Sequence, residues 1–412
     1  MYYNGITPNP GQEYIIDKGV DFYKYSSDQV FQYSGGPGTG KSVVMYCIAM
    51  RLMEEGLINQ NDIIAAAYTG QAAIVMRTKG FPMARTIHSW FYEPMKMPVR
   101  KIDGTILMNT RYDVPVTDIG FTPRSVYGKK AIFIDEGYMV PLSMKKVIEA
   151  SGIKVFVGGD QGQLPPVNDE PAYLVDGKIY HLSQIMRQAE NSGIVYIANR
   201  CLKGLPIHKG LYGNTLVIGY DDITDEMIEK SRVIICGKNK TREIMNERVR
   251  RDILGIKADM PMFGERVICR KNNWLVDVDG ISLANGLTGN CTTPPSISTY
   301  NGDTFKMGFT PDLINSEFSD LTCNYKYYNA PYYIKNEIKN DKFEIGEMFE
   351  PAYALTTHLS QGAEYPNGMY ISEHMYDDSN FNALNNTGAT RFRNGLIYVL
   401  PKERHYYRGA SF

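Results

Sequence analysis

The chain has 412 residues, with 44 Lys and Arg against 45 Asp and Glu, and its six cysteines include no C-x-x-C pair. That length exceeds what one core can organise and predicts roughly two to four domains. The near-cancelled charge excludes a chain-wide basic surface, so any nucleic-acid contact has to come from a local strip.

The cysteines sit far apart and several lie in apolar runs, which reads as buried free thiols of a reducing compartment rather than zinc ligands or disulfides. There is no signal-peptide pattern and no apolar run of bilayer length, so a soluble intracellular protein without a membrane partner is expected. From the N-terminus onward, strand candidates end at Tyr33, Tyr68, Ile134, Val157, Ile218, Cys236, Ile371 and Leu400. Helical periods follow many of them, at Ser42 to Glu55, Gln71 to Lys79 and Lys240 to Leu254. This alternation predicts an α/β protein with parallel sheets. Two stretches interrupt it. Residues 92–127 are polar and read as a small hairpin insertion. Residues 262–350, rich in Gly, Pro, Asn and Tyr, read as a small β-rich domain spliced into the C-terminal α/β unit. Within the latter, Tyr325, Tyr327, Tyr328, Tyr332 and Tyr333 are expected to build a β-domain core rather than a stacking platform.

The first strand runs into Gly35-Gly36-Pro37-Gly38-Thr39-Gly40-Lys41-Ser42. This fits the phosphate-loop pattern G-x-x-x-x-G-K-[ST], in which glycines let backbone N–H groups turn inward around a polyphosphate. The following helix aims its positive end at the same charge. Lys41 is placed to reach the β/γ-phosphates and Ser42 to hold Mg²⁺, so ATP and Mg²⁺ are the expected cofactors. The apolar strand Ala131-Ile132-Phe133-Ile134 ends in Asp135-Glu136. Asp135 at the strand tip can share the metal with Ser42, and Glu136 can deprotonate an attacking water. Read alone, the same two acids could simply cap the next helix. A further buried strand leads through Gly158-Gly159-Asp160 to Gln161-Gly162-Gln163-Leu164-Pro165-Pro166, where Gln163 could meet the γ-phosphate or the water.

The ordered blocks G-G-P-G-T-G-K-S, I-D-E, G-D-Q-G-Q-L-P-P-V and M-R-Q resemble those of superfamily 1 DNA helicases of the RecD-like branch. Ala352 to Glu364 is similar to the branch's motif V, and Thr387-Gly388-Ala389-Thr390-Arg391-Phe392-Arg393 to its motif VI. Thr7 to Gln12 resembles its adenine-reading Q motif, and Thr69 to Ala73 and Thr86 to Ser89 sit where motifs Ia and Ib belong. The resemblance implies two RecA-like domains, at 1–190 and at 191–261 with 351–412, with ATP held in the cleft between them. The insertions at 92–127 and 262–350 correspond in position to the branch's pin-bearing element and SH3-like domain. It also implies that Gln12 reads adenine, Arg187 contacts the γ-phosphate, Gly362 and Glu364 line the nucleotide with Glu364 at the ribose, and Arg391 is an arginine finger. Departures occur at Leu359, where the branch commonly has lysine, at Asn386, where it has an aromatic, and at Gly137 and Tyr138 after the two acids.

Single-strand binding needs phosphate contacts and stacking faces. The resemblance assigns the first to Thr69, Gln71, Thr86, His88, Thr356, His358 and Ser360. Phe81, Trp90, Phe91 and Tyr92 flank His88, and core packing is the commoner use of any one such ring. The implied activity is an ATP-driven helicase moving 5′-to-3′ on single-stranded DNA and opening a duplex fork. It would act as a monomer in the cytoplasm of a bacterial or phage-infected cell, with replication or recombination proteins as partners. Three alternatives stay open: an RNA helicase, a nucleotide-gated module that grips a strand without unwinding, and, least well supported, a kinase.

Overall fold

A computed structural model describes residues 5–184, 192–297, 303–375 and 379–402. The chain divides into two compact units: Met1–Arg187 with Gly255–Ala352 and Gln361–Ala363, and Gln188–Leu254 with Tyr353–Ser360 and Glu364–Phe412. The fold is two-unit α/β, as the alternating pattern predicts.

In the first unit a six-stranded sheet runs in the order Ile179–Leu182, Val30–Gly35, Lys154–Gly159, Ala131–Ile134, Ile63–Ala67, Arg85–Thr86, and every described pairing in it is parallel. Ala131–Ile134 and Ile63–Ala67 are buried at every position, which is why both read as unbroken apolar runs. Phe133 stacks on Phe156 with ring centroids 4.8 Å apart, tying neighbouring strands together under the helix Lys41–Glu54.

A second, antiparallel sheet in this unit is built from Ser296–Ile297, Thr304–Pro311, Thr288–Cys291, Arg266–Cys269 and Phe349–Pro351, with Phe318–Asn324 added to Thr304–Pro311. Chain order splices this sheet into the second unit, yet packing joins it to the first. Its Val267, Cys269, Phe305 and Phe309, with Leu283, Ala284 and Leu287 from the neighbouring hairpin and turn, share one apolar cluster with Ala72, Ala73 and Ile74 of the helix Gly70–Thr78. The tyrosine run, expected to build a β-domain core, is helical over Tyr325–Asn329 and Tyr332–Asn340. Asn324 caps the first of these helices by accepting from the Tyr327 N–H, and Pro331 stands at the start of the second, so the local cap chemistry overrides the apparent alternation. Tyr327 and Tyr328 do enter the core, whereas Tyr333 is exposed.

Within 92–127, Tyr92–Pro98 pairs antiparallel with Thr117–Pro123. Met95, Met97 and Phe121 of this ribbon are exposed. The second unit holds a six-stranded sheet ordered Gly210–Tyr212, Thr215–Ile218, Phe392–Val399, Tyr365–Ile371, Ile234–Cys236, Ala354–Thr356, parallel except for the edge hairpin. The helical period from Lys240 is α-helical over Asn239–Glu247 and continues as a π-helix over Arg248–Ile253. All six cysteines are free and buried. Among the described residues no helix is long and apolar enough to cross a membrane.

Candidate nucleotide site and strand-binding surface

The nucleotide-site residues sit at the carboxyl ends of three adjacent parallel strands, where open α/β sheets place their ligands. Val30–Gly35 leads into the glycine loop. A side chain at Gly35 would come within 2.4 Å of Thr39 Oγ1 and 2.9 Å of Leu182 Cβ, so only glycine fits. Gly38 and Gly40 take positive φ, 75° and 81°, which turns the loop into the helix Lys41–Glu54. Lys41 Nζ donates to the Gly35 and Gly36 carbonyls at 2.8 and 3.3 Å and lies 3.8 Å from Asp160 Oδ2. Asp160, at the end of the neighbouring strand, is therefore the counter-charge of the loop lysine, a role the sequence reading did not assign to it. The signal was available in the G-D-Q-G-Q block.

Ser42 Oγ lies 3.3 Å from Asp135 Oδ2, so the pair expected to share a cation is together. The other carboxylate oxygen of Asp135 accepts the Glu136 N–H at 2.9 Å. Glu136 has φ 54°, a left-handed conformation that costs a non-glycine residue about 1–3 kcal/mol and is concentrated at functional sites. Gly137, one of the departures, has a packing reason: a β-carbon there would meet Val157 Cγ1 at 2.2 Å. Gln163 is buried, and its Oε1 has no hydrogen-bond partner among the described residues. A buried amide oxygen of this kind is costly unless something polar meets it.

Gln12 caps its own helix and also touches the loop. Its Oε1 accepts the Asn9 N–H at 2.9 Å and its Nε2 donates to the Thr39 carbonyl at 2.9 Å. The carboxamide predicted to read adenine thus also braces the phosphate loop. Arg187 lies outside the described residues. Motif V is divided: Gln361–Ala363 packs with the first unit, where Gln361 Nε2 donates to the Leu164 carbonyl at 3.2 Å. Gly362, at φ 77°, would place a β-carbon 2.8 Å from Thr69 Oγ1 and 2.6 Å from Ala72 Cβ, so its neighbours are residues of the expected strand surface.

In the second unit Arg391 follows the helix Phe381–Ala389 and precedes the strand Phe392–Val399. It is buried, with Nε donating to the Thr387 carbonyl at 3.0 Å. Glu364 pairs with Arg393. Thr356 and Ser360 are buried and serve the backbone: Thr356 Oγ1 accepts the Leu359 N–H and Ser360 Oγ donates to the Thr357 carbonyl. His358 is exposed.

On the first unit Thr69 and Thr86 each cap a helix, accepting from the Ala72 and Ser89 N–H groups. Gln71 is buried with Oε1 unpartnered among the described residues. His88 stacks on Trp274 at 5.0 Å and lies within 6.5 Å of Tyr68, Tyr92 and Phe121. Burial holds the His88 imidazole below its ordinary value of 6.5. A cavity of about 330 Å³ opens beside these rings, lined among others by Arg85, Arg124, Tyr92, Phe121 and Trp274. Phe81 and Phe91 are core residues, and Trp90 is tied by Nε1 to the Ala65 carbonyl at 2.8 Å. The sequence reading missed Trp274 and Phe121, which come from distant segments and meet only in the fold.

Residues 22–169, within the first unit of this α/β fold, match the AAA domain family model. No curated relative matches the sequence. Among solved structures, Pif1 helicases described as unwinding forked double-stranded DNA match with a TM-score of 0.53 at 18% identity, over 95% of this chain and 92% of theirs. Bacteroides Pif1 bound to single-stranded DNA gives 0.52 at 18% identity, over 95% and 92%. Bacteroides Pif1 with ADP-AlF3 and single-stranded DNA gives 0.52 at 17% identity, over the same shares of 95% and 92%. The chain thus shares the fold of these solved structures.

Proposed function

We propose that this chain is an ATP-dependent DNA helicase that moves along single-stranded DNA and opens a duplex fork. The observation that carries this reading is the meeting of Lys41, the Ser42–Asp135 pair and the strained Glu136 at three neighbouring strand ends. Solved proteins of the same fold bind ADP-AlF3 and single-stranded DNA, which supports both substrates.

On this reading Lys41 leaves the Gly35 and Gly36 carbonyls for the β/γ-phosphates of ATP. Ser42 and Asp135 would hold Mg²⁺, which neutralises charge on the phosphate oxygens when bound. Glu136 takes the proton of the attacking water, and the unpartnered Gln163 Oε1 accepts a hydrogen bond from that water. Gln12 meets the adenine, Arg187 and Arg391 stabilise charge on the transferred phosphoryl group, and Gly362 and Glu364 complete the nucleotide's surroundings. An arginine finger is typically worth about 10³–10⁵ in rate. The strand passes Thr69, Gln71, Thr86 and His88 on the first unit and Thr356, His358 and Ser360 on the second. The antiparallel ribbon from Tyr92 acts as a pin, and the small β-sheet as the branch's SH3-like domain. Movement 5′-to-3′, work as a monomer, a cytoplasmic site in a bacterial or phage-infected cell, and partners in replication or recombination follow from the resemblance. The buried free thiols suit a reducing compartment.

Strand displacement on forks with a single 5′ or 3′ tail tests this reading. ATP-dependent opening of the 5′-tailed fork is expected. ATP-dependent strand binding with no displacement on either fork would make the chain a nucleotide-gated clamp instead.

A further inference from the structure

Besides Asp135, Ser42 is held by a second group that the reaction as described does not use. The helix Gly70–Thr78 ends at Lys79, whose N–H bonds back to the Met76 carbonyl at 3.1 Å. Its ammonium donates to Ser42 Oγ at 3.2 Å, while the same oxygen lies 3.3 Å from Asp135 Oδ2. A serine hydroxyl has one proton and two lone pairs. Here the proton is directed to Asp135 and one lone pair accepts from Lys79. A small divalent cation on this serine needs a lone pair at about 2.0–2.1 Å and keeps an octahedral shell of further ligands around it. The Lys79 ammonium, at hydrogen-bond distance from the same oxygen, intrudes on that shell. Asp135 is buried, so the repulsion between the two cations is poorly screened. Lys79 itself is half-buried, and its four-carbon stem gives the charge room to withdraw.

We propose that Lys79 is an internal competitor for the divalent cation at Ser42 and Asp135. It holds the hydroxyl and carboxylate in register, and it sets the cation concentration at which the nucleotide site becomes metal-loaded. Lys79 is a positioning residue that acts through Ser42, and this role rests on the nucleotide-site reading above.

The test is binding of a fluorescent ADP analogue to the full chain, titrated with Mg²⁺ at constant ionic strength, for the wild type, Lys79→Met and Lys79→Arg. Electron paramagnetic resonance of Mn²⁺ in the presence of ADP reads the metal directly. Lys79→Met should reach half-saturation at roughly tenfold lower Mg²⁺ and Mn²⁺, the size of effect one neighbouring charge commonly has on an ionic equilibrium. Lys79→Arg, which keeps the charge, should stay close to the wild type. Equal half-saturation in the wild type and Lys79→Met overturns the proposal. Failure of all three proteins to bind the analogue at any Mg²⁺ concentration overturns the nucleotide-site reading itself. Thermal melting of Lys79→Met at the wild-type temperature shows that the comparison is between folded proteins.

Discussion

Lys41, Asp135 and Glu136 meet at the carboxyl ends of neighbouring parallel strands, Lys41 beside Asp160, Asp135 beside Ser42, and Glu136 at φ 54°. The ammonium of Lys41 faces Asp160 across 3.8 Å and donates to two loop carbonyls, so its removal leaves the buried Asp160 without that counter-charge. Lys41→Ala should abolish ATP turnover and lower the melting temperature while the chain still folds, measured by phosphate release and circular dichroism. Turnover at the wild-type rate would move the site elsewhere. Glu136→Gln keeps size and backbone and removes only the base. It should bind ATP normally and hydrolyse it about 10²–10⁴-fold more slowly, the usual contribution of a positioned general base. His88 supplies a pH test. Its folded-state pKa lies below the ordinary 6.5 because burial disfavours the charged ring. The unfolded chain thus binds the proton first, and His88 costs stability as pH falls from about 6.5 through the lowered folded value. In urea titrations between pH 7 and 5, His88→Phe should lose stability less steeply than the wild type. Parallel slopes would show that His88 is not the group responsible.

At the scale of elements, the ribbon Tyr92–Pro98 with Thr117–Pro123 and the strand Asn273–Val278 matter most, because they bring Phe121 and Trp274 to His88. Base stacking on an aromatic side chain is worth about 1–3 kcal/mol by alanine substitution. Trp274→Ala should weaken single-strand binding by that amount in fluorescence anisotropy and leave ADP binding untouched. An unchanged strand affinity would return this ring to a packing role. The parallel strands and the phosphate loop were legible in the sequence because each local choice there is forced: buried strands must be apolar, and the loop needs glycine where a β-carbon would collide with Thr39. The aromatic group at His88 was not legible, since Phe121 and Trp274 are separated by about 150 residues of chain and no periodicity links them. The tyrosine run was legible in part: Tyr327 and Tyr328 are core residues as expected, while the two short helices that carry them are set by the Asn324 cap and Pro331. Lys79 escaped notice because a lysine at a helix end usually serves the helix's own carbonyls.

For the whole molecule, the near-balance of charge means that strand binding must come from a few placed contacts rather than a general basic field. Salt dependence should accordingly be modest, with log K falling by about 0.7 per phosphate neutralised for each unit of log salt. A slope corresponding to a long basic track would contradict the small set of hydroxyl, amide and aromatic contacts described. The most direct measurement is the ATPase rate at one fixed salt concentration with no nucleic acid, with single-stranded DNA, and with RNA of the same length. The account predicts strong stimulation by DNA, abolished in Lys41→Ala and Glu136→Gln, with RNA far weaker. A rate indifferent to single-stranded DNA would contradict it, leaving an ATPase whose hydrolysis is not coupled to a strand.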